Sequence, residues 1–212
     1  MEIAILLFDR LTALDAIGPY ETLQRLPGAT VTFVAEQKGE FRTENGFLGL
    51  MADADFTETA NPDVLVVPGG VGTRPLVTHQ PTLEWIRQVH QTTQYTTSVC
   101  TGSLVLAAAG LLNELDATTH WSTYGPLERL GARPTSQRVV EHLDHRIITA
   151  AGVSSGIDMA LRLSELLVDD VAAKAMQLMI EYDPQPPFNA GNVDAAGEEV
   201  MERLIQYSVD KD

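Results

Sequence analysis

The sequence predicts an α/β fold: a mainly parallel sheet covered on both faces by helices. Three observations carry this. Residues 3–8 and 62–67 form nearly continuous apolar runs, as in strands buried on both faces. Strand-like and helix-like runs alternate along the chain, which favours a parallel sheet with crossover helices. The 212 residues contain no repeat and no dividing linker, so residues 1–212 are expected to form a single domain.

The elements follow in order. IAILLF (3–8) reads as the first strand. LDAIGPYETLQRL (14–26) reads as a turn and a helix, with Pro19 suited to the helix's first turn. ATVTFVAE (29–36) is a second strand. Asn45–Gly46 lies between two β-prone runs at 39–50, a hairpin signal. PDVLVVPGG (62–70) is a buried strand ending in Pro and two glycines. QPTLEWIRQVHQ (80–91) is a helix with Pro81 near its start. QYTTSV (94–99) is a strand, and a helix over 101–112 follows, with Gly110 near its end. ATTHW (117–121) reads as a short strand before a helix to about Leu130, capped by Gly131. Residues 138–152 read as a hairpin turning at 143–145. Residues 154–170 form a strong helix with a Ser cap, and 171–182 another. An extended tail (184–192) and a last short helix close the chain.

In an open parallel sheet, ligands bind in the crevice at the carboxyl ends of the strands. Three loops should meet there: FDRLTALDAIGP with Asp9 and Asp15, PGGVGT, and VCTGS with the chain's one cysteine, Cys100. The frame Ser98-Val99-Cys100-Thr101-Gly102 matches a nucleophile elbow, in which a strand turns into a helix at one strained residue. Gly102 lets the helix pack closely, and Ser98 is small enough for the turn. A helix N-terminus beside the sulfur should favour thiolate, lowering its pKa toward the range of roughly 3.5–7.5. The plain alternative is a small buried apolar cysteine. Gly69 or Gly70, with the Thr101 N–H, could form an anion-stabilising pocket; the alternative is an ordinary glycine turn. Asp15 is either a helix cap or an acid/base group facing the sulfur, its pKa raised by a neighbouring thiolate. A cysteine nucleophile usually has a histidine partner, but Thr101 follows Cys100. Of the five histidines only His120 lies near a strand end, and it reads as a structural residue beside Trp121. No cluster has metal-ligand spacing and no nucleotide fingerprint appears, so no metal or cofactor is expected.

The formal charge of −15, from 14 Lys plus Arg and 29 Asp plus Glu, repels nucleic acid and anionic membranes. Only Lys38, Lys174 and Lys211 are lysines, which leaves salt adaptation open. One cysteine, no signal-peptide pattern and no run near 18 apolar residues lead us to expect a cytoplasmic protein off the membrane.

VVPGG, SVCTGSLVLAAAGLL, ATTHW, AGVSSGIDMAL and PPFNAG occur in the order seen in the ThiJ/PfpI superfamily (class I amidotransferase-like). More narrowly, the chain resembles the bacterial isocyanide hydratases over nearly its whole length. PGG and ATTHW are widely shared; SVCTGS with LDAIGP and PPFNAG is more specific to the hydratase group. The resemblance implies a flavodoxin-like three-layer sandwich and a homodimer acting on a small-molecule substrate. It implies Cys100 as nucleophile, Asp15 as acid/base, Thr101 as a site neighbour, and a route through a covalent thioimidate to an N-substituted formamide. Asp15 stands where many relatives have Glu, and Thr101 where peptidase-like and chaperone-like branches have His. Both differences point toward the hydratases. Val153 stands where the nearest hydratases have Ile, in a segment that faces the cysteine, so it bears on pocket shape and on the mobility of the 152–168 helix. Two alternatives stay open: a glyoxalase- or deglycase-like enzyme, and a redox or small-molecule sensor in which Cys100 oxidises reversibly. Regulator relatives carry a basic helix-turn-helix extension; none occurs in these residues, and DNA binding is not expected.

Overall fold

The computed structural model describes residues 1–209; Lys211, one of the three lysines, lies outside them. Contacts divide the chain into two compact units, Met1–Ile180 and a second beginning at Glu181. In chain order the first unit holds β1 (Glu2–Leu6), α1 (Ala13–Leu23), β2 (Thr30–Ala35), β3 (Gly39–Arg42), β4 (Gly49–Ala52), β5 (Ala54–Asp55) and β6 (Val64–Val67). It continues with α2 (Thr73–Leu76), α3 (Gln80–His90), β7 (Tyr95–Val99), α4 (Gly102–Ala108), β8 (Asp116–Ala117) and α5 (Tyr124–Arg129). The unit ends with β9 (Arg133–Pro134), β10 (Val139–His142), β11 (Ile147–Ala150), α6 (Ser155–Leu167) and α7 (Asp170–Met179). The second unit holds α8 (Val193–Ala196) and α9 (Glu198–Val209).

Seven strands form the main sheet in the order β10-β11-β7-β6-β1-β2-β5. All neighbours run parallel except the edge pair β10–β11, a hairpin in which Val139 faces Ala150. Ile3 pairs with Val64 and Val64 with Tyr95, so β1, β6 and β7 end side by side. Both β1 and β6 are buried along nearly their whole length, as their unbroken apolar sequences require. Helices α1, α6 and α7 pack on one another, and α2 to α5 form a second group; the fold is the α/β sandwich expected.

Several expectations are corrected. Pro19 does not open a helix; it lies mid-way along α1, which begins at Ala13. A Gly-Pro pair inside a helix costs stability and one hydrogen bond. Tertiary packing offsets it here: a methyl built on Gly18 would sit 3.1 Å from Ile157 Cγ1, and one on Gly156 3.4 Å from Pro19 Cδ. The pair lets α1 and α6 approach closely. Ser154 occupies the cap position of α6 but its hydroxyl caps nothing; it accepts a hydrogen bond from Arg138 Nη2 at 3.1 Å. The α4 helix is shorter than expected, and Gly110 follows it with φ 83°. The described residues end with two helices, of which α9 spans 12 residues. The 3-residue turn after β8 is a 3-10 segment, Trp121–Thr123. No helix of the described residues is long and apolar enough to cross a membrane.

Candidate active site

Cys100 follows β7 directly and precedes α4, with φ 56°. A non-glycine residue there is strained and must be held by its surroundings. Its N–H donates to Ala150 O at 3.0 Å, and its carbonyl accepts from Thr119 Oγ1 at 3.1 Å and Ser103 Oγ at 3.2 Å. A methyl at Gly102 would fall 2.0 Å from Val67 O, so only glycine lets α4 start this close to β6. The elbow geometry is as expected from SVCTG.

Asp15 sits in the first turn of α1 and is fully buried. It is not a cap. Its Oδ2 accepts from the Gly69 N–H at 2.9 Å, while Oδ1 makes no short hydrogen bond. The Cys100 thiol, a weak donor, is the polar group next to this carboxyl. Burial pushes Asp15 up to about 7; the Gly69 N–H and the Cys100 thiol pull it back, and the charge of Glu44 raises it. Gly69 is the spacer of the pair. A methyl there would lie 2.5 Å from Thr101 N, 2.7 Å from Cys100 Cβ and 2.8 Å from Asp15 Oδ2.

The Cys100 thiol itself is pushed up, first by burial and then by the negative charge of Asp15; the Thr101 N–H pulls it down by less. The expected thiolate at a helix N-terminus is therefore corrected. Cys100 is only 5% exposed, and desolvation outweighs the field of a short helix. Cysteine and carboxyl compete for charge, so the site is poised to pass a proton between them rather than to hold a free thiolate.

The glycine loop also differs from expectation. The Gly69 N–H is bonded to Asp15, and the Gly70 N–H donates to Thr101 Oγ1 at 2.8 Å. Neither is free as an anion donor. Thr101 instead ties the PGG loop to the elbow, its hydroxyl lying 3.1 Å from Gly70 O. Gly70, at φ 127°, has no room for a side chain beside Arg10 O. The loop after β1 is bonded to the same PGGVG segment: the Thr12 N–H donates to Gly69 O at 2.9 Å, and the Gly72 N–H to Arg10 O at 3.1 Å.

A cavity of about 260 Å³ opens over the sulfur. Cys100, Thr101, Gly70 and Val153 line it, together with Glu44 and His120. Asp9, in the first loop, lies elsewhere. Three contributors were not recognised in the sequence. Glu44 reaches over from the β3–β4 hairpin and accepts from the Val71 N–H at 3.0 Å. Gly152 leaves room between His120 and the sulfur: a methyl there would be 2.5 Å from His120 Cδ2 and 3.3 Å from Sγ. Thr119, in the conspicuous ATTHW segment, anchors the elbow carbonyl. His120 proves to be a pocket residue. Its Nδ1 lies 2.7 Å from Ser122 Oγ, and burial lowers its pKa, partly countered by Glu44. Among the described residues no group of three or more His, Cys, Asp or Glu could hold a metal ion.

The chain is similar to known proteins across most of its length. It is 42% identical over 202 residues to an isonitrile hydratase of Pseudomonas putida, covering 95% of this chain and 87% of that protein. The crystal structure of a ThiJ/PfpI family protein from Pseudomonas syringae matches with a TM-score of 0.92 and 37% identity, over 99% of this chain and 86% of that one. Drosophila melanogaster DJ-1beta matches with a TM-score of 0.76 over 85% of this chain and 97% of its own, at 19% identity, and so shares the fold. Residues 1–166 fit the model of the DJ-1/PfpI family. The elbow cysteine, the glycine loop and the buried carboxyl all fall within that match, and the chain belongs to the DJ-1/PfpI family.

Proposed function

We propose that the protein is an isocyanide hydratase, which adds water to a small isocyanide to give an N-substituted formamide. The observation that carries this reading is the buried Asp15–Cys100 pair, joined to 42% identity with an isonitrile hydratase over 95% of the chain. An isocyanide is neutral and apolar at its substituent. It suits a small cavity whose nucleophile is kept protonated until attack.

The chemistry balances with water alone. Cys100 adds to the terminal carbon while its proton passes to Asp15, and Asp15 delivers a proton to that carbon, leaving the thioimidate R–N=CH–S–Cys100. Asp15 then takes a proton from water as the oxygen adds to the carbon, and passes that proton to the nitrogen. Collapse of this adduct releases R–NH–CHO, and the sulfur recovers its proton. A group with pKa near 7 can donate and accept at neutral pH. Because the Gly69 and Gly70 N–H groups are engaged, charge developing on carbon is met by the Asp15 proton. Thr101 holds the loop and aims its N–H at the sulfur. Val153 shapes the space for the substituent.

We further propose that residues 1–212 work as one functional domain, with all these groups in its first unit, and that the chain acts as a cytoplasmic homodimer. Exposed Leu14, Phe47, Leu48 and Met51 support the homodimer: the Phe47–Leu48 turn belongs to a hairpin bonded to the loop just before Leu14. A buried, protonated thiol argues against the oxidation-sensor alternative.

The test is turnover of an aryl isocyanide, followed by formamide formation. Wild type should turn over; Cys100→Ala and Asp15→Asn should each lose about a thousandfold or more. Absence of turnover in folded wild type would sink the activity. Turnover surviving in Cys100→Ala would sink the mechanism.

A further inference from the structure

A second cavity, of about 180 Å³, opens at the carboxyl ends of β1 and β2. It shares no lining residue with the Cys100 cavity. The wall between them is the loop after β1 together with α2: Thr73 and Arg74 line the Cys100 side, Pro75 and Leu76 the other. The hydratase chemistry uses nothing in this second cavity.

Its lining has a definite chemistry. Phe8, Phe41 and Phe56 supply three phenyl rings, and Asp9 and Glu36 supply two carboxylates. Among the described residues no Lys or Arg lines it. The nearby Arg42 guanidinium is paired with Glu40 at 2.6 Å. Asp9 Oδ1 accepts the Arg42 backbone N–H at 3.2 Å, which leaves Oδ2 for another partner. His79 is the one basic group on the wall: its Nε2 lies 3.6 Å from Glu36 Oε2, and its Nδ1 lies 3.0 Å from Thr82 Oγ1. Phenyl rings beside carboxylates attract organic cations, and a chain of net charge −15 concentrates them. An anion would be repelled. The volume is below that of common drug-sized sites, roughly 300–1,000 Å³, so the occupant is small.

We propose that this cavity binds a small organic cation with an apolar body, of the primary alkylammonium class. The apolar body rests against Phe8, Phe56 and Leu76, and the ammonium lies between Asp9 and Glu36.

The test titrates the full chain with cyclohexylammonium and, separately, with neutral cyclohexanol at one ionic strength, read by calorimetry and backbone amide shifts. Saturable binding of the cation is expected, about fivefold tighter than the alcohol. Glu36→Gln and Asp9→Asn should each weaken the cation about twofold to fivefold and leave the alcohol unchanged. Asn at position 9 can still accept the Arg42 N–H. Cys100→Ala should bind the cation as wild type does, so failure here is separate from failure of the hydratase reading. Equal affinity for cation and alcohol, no saturation, indifference to both carboxylate variants, or shifts confined to the Cys100 cavity would each overturn the proposal.

Discussion

Asp15 is a carboxyl that the fold holds at a thermodynamic cost. Its pKa rises from 3.8 to about 7 on folding, chiefly through burial. Below pH 4 it is protonated folded and unfolded, and its burial costs nothing extra in charge. Between pH 4 and 7 the unfolded chain releases the proton while the folded one keeps it, so stability falls as pH rises and levels off above 7. The linkage amounts to about 4 kcal/mol, to order of magnitude. Asp15→Asn keeps an acceptor for the Gly69 N–H and cannot ionise. Urea unfolding should show it as more stable than wild type at pH 8, with the difference closing toward pH 4. The same carboxyl is the group the activity needs, so the variant trades turnover for stability. Gly69 is the other residue where one atom decides the outcome. A methyl there meets backbone N, Cβ and a buried carboxylate oxygen all within 3 Å. Gly69→Ala should lower stability by about 1–3 kcal/mol and depress kcat by more than it changes KM. Denaturant melts and steady-state kinetics would show this.

At the scale of elements, helix ends separate what the sequence says from what the structure uses. Asp169 caps α7, its side chain accepting the Ala172 N–H at 2.8 Å, whereas Ser154 only takes up that position on α6. Asp169→Ala should cost about 1 kcal/mol and Ser154→Ala clearly less; thermal melts of the two variants test this. The α1 helix runs through a point where local sequence favours a boundary. Its Gly18–Pro19 pair carries local signals for a boundary, and what overrides them is Gly156 and Ile157 on α6, far along the chain. The elbow was legible because its signals are local: a β-branched run, a small residue, cysteine and a glycine in five positions. The state of its thiol was not, because burial in the folded chain and the charge of Asp15, some eighty-five residues earlier on α1, set it. The same holds for the PGG loop. Two glycines announce close approach, but which atoms approach is decided by Asp15 and Thr101.

For the whole molecule, the alternation of strands and helices was enough to give the sheet and its parallel sense. The hairpin and the loops were legible by turn residues; that Glu44 from the hairpin would reach the cavity was not, since only tertiary placement brings it there. The proposed homodimer belongs to this scale. Phe47 is 88% exposed and sits beside exposed Leu48, a pattern that exposed apolar patches share when they are interaction surfaces. Phe47→Ser should shift sedimentation toward the monomer without altering the melting of the isolated chain by more than about 0.5 kcal/mol. A wild type that sediments as a monomer at all concentrations would remove the dimer.

The solitary thiol makes this molecule its own clock. The thiol of a residue that is 5% exposed, its pKa pushed up by burial, is shielded from a bulky aqueous disulfide reagent until the elbow opens. With no second cysteine, every event of colour release then counts one opening of one site. Under excess reagent the rate reports the opening itself, and under dilute reagent the fraction open. The feature that serves the proposed chemistry thus also supplies a stopwatch for the breathing of the crevice, readable without label or mutation.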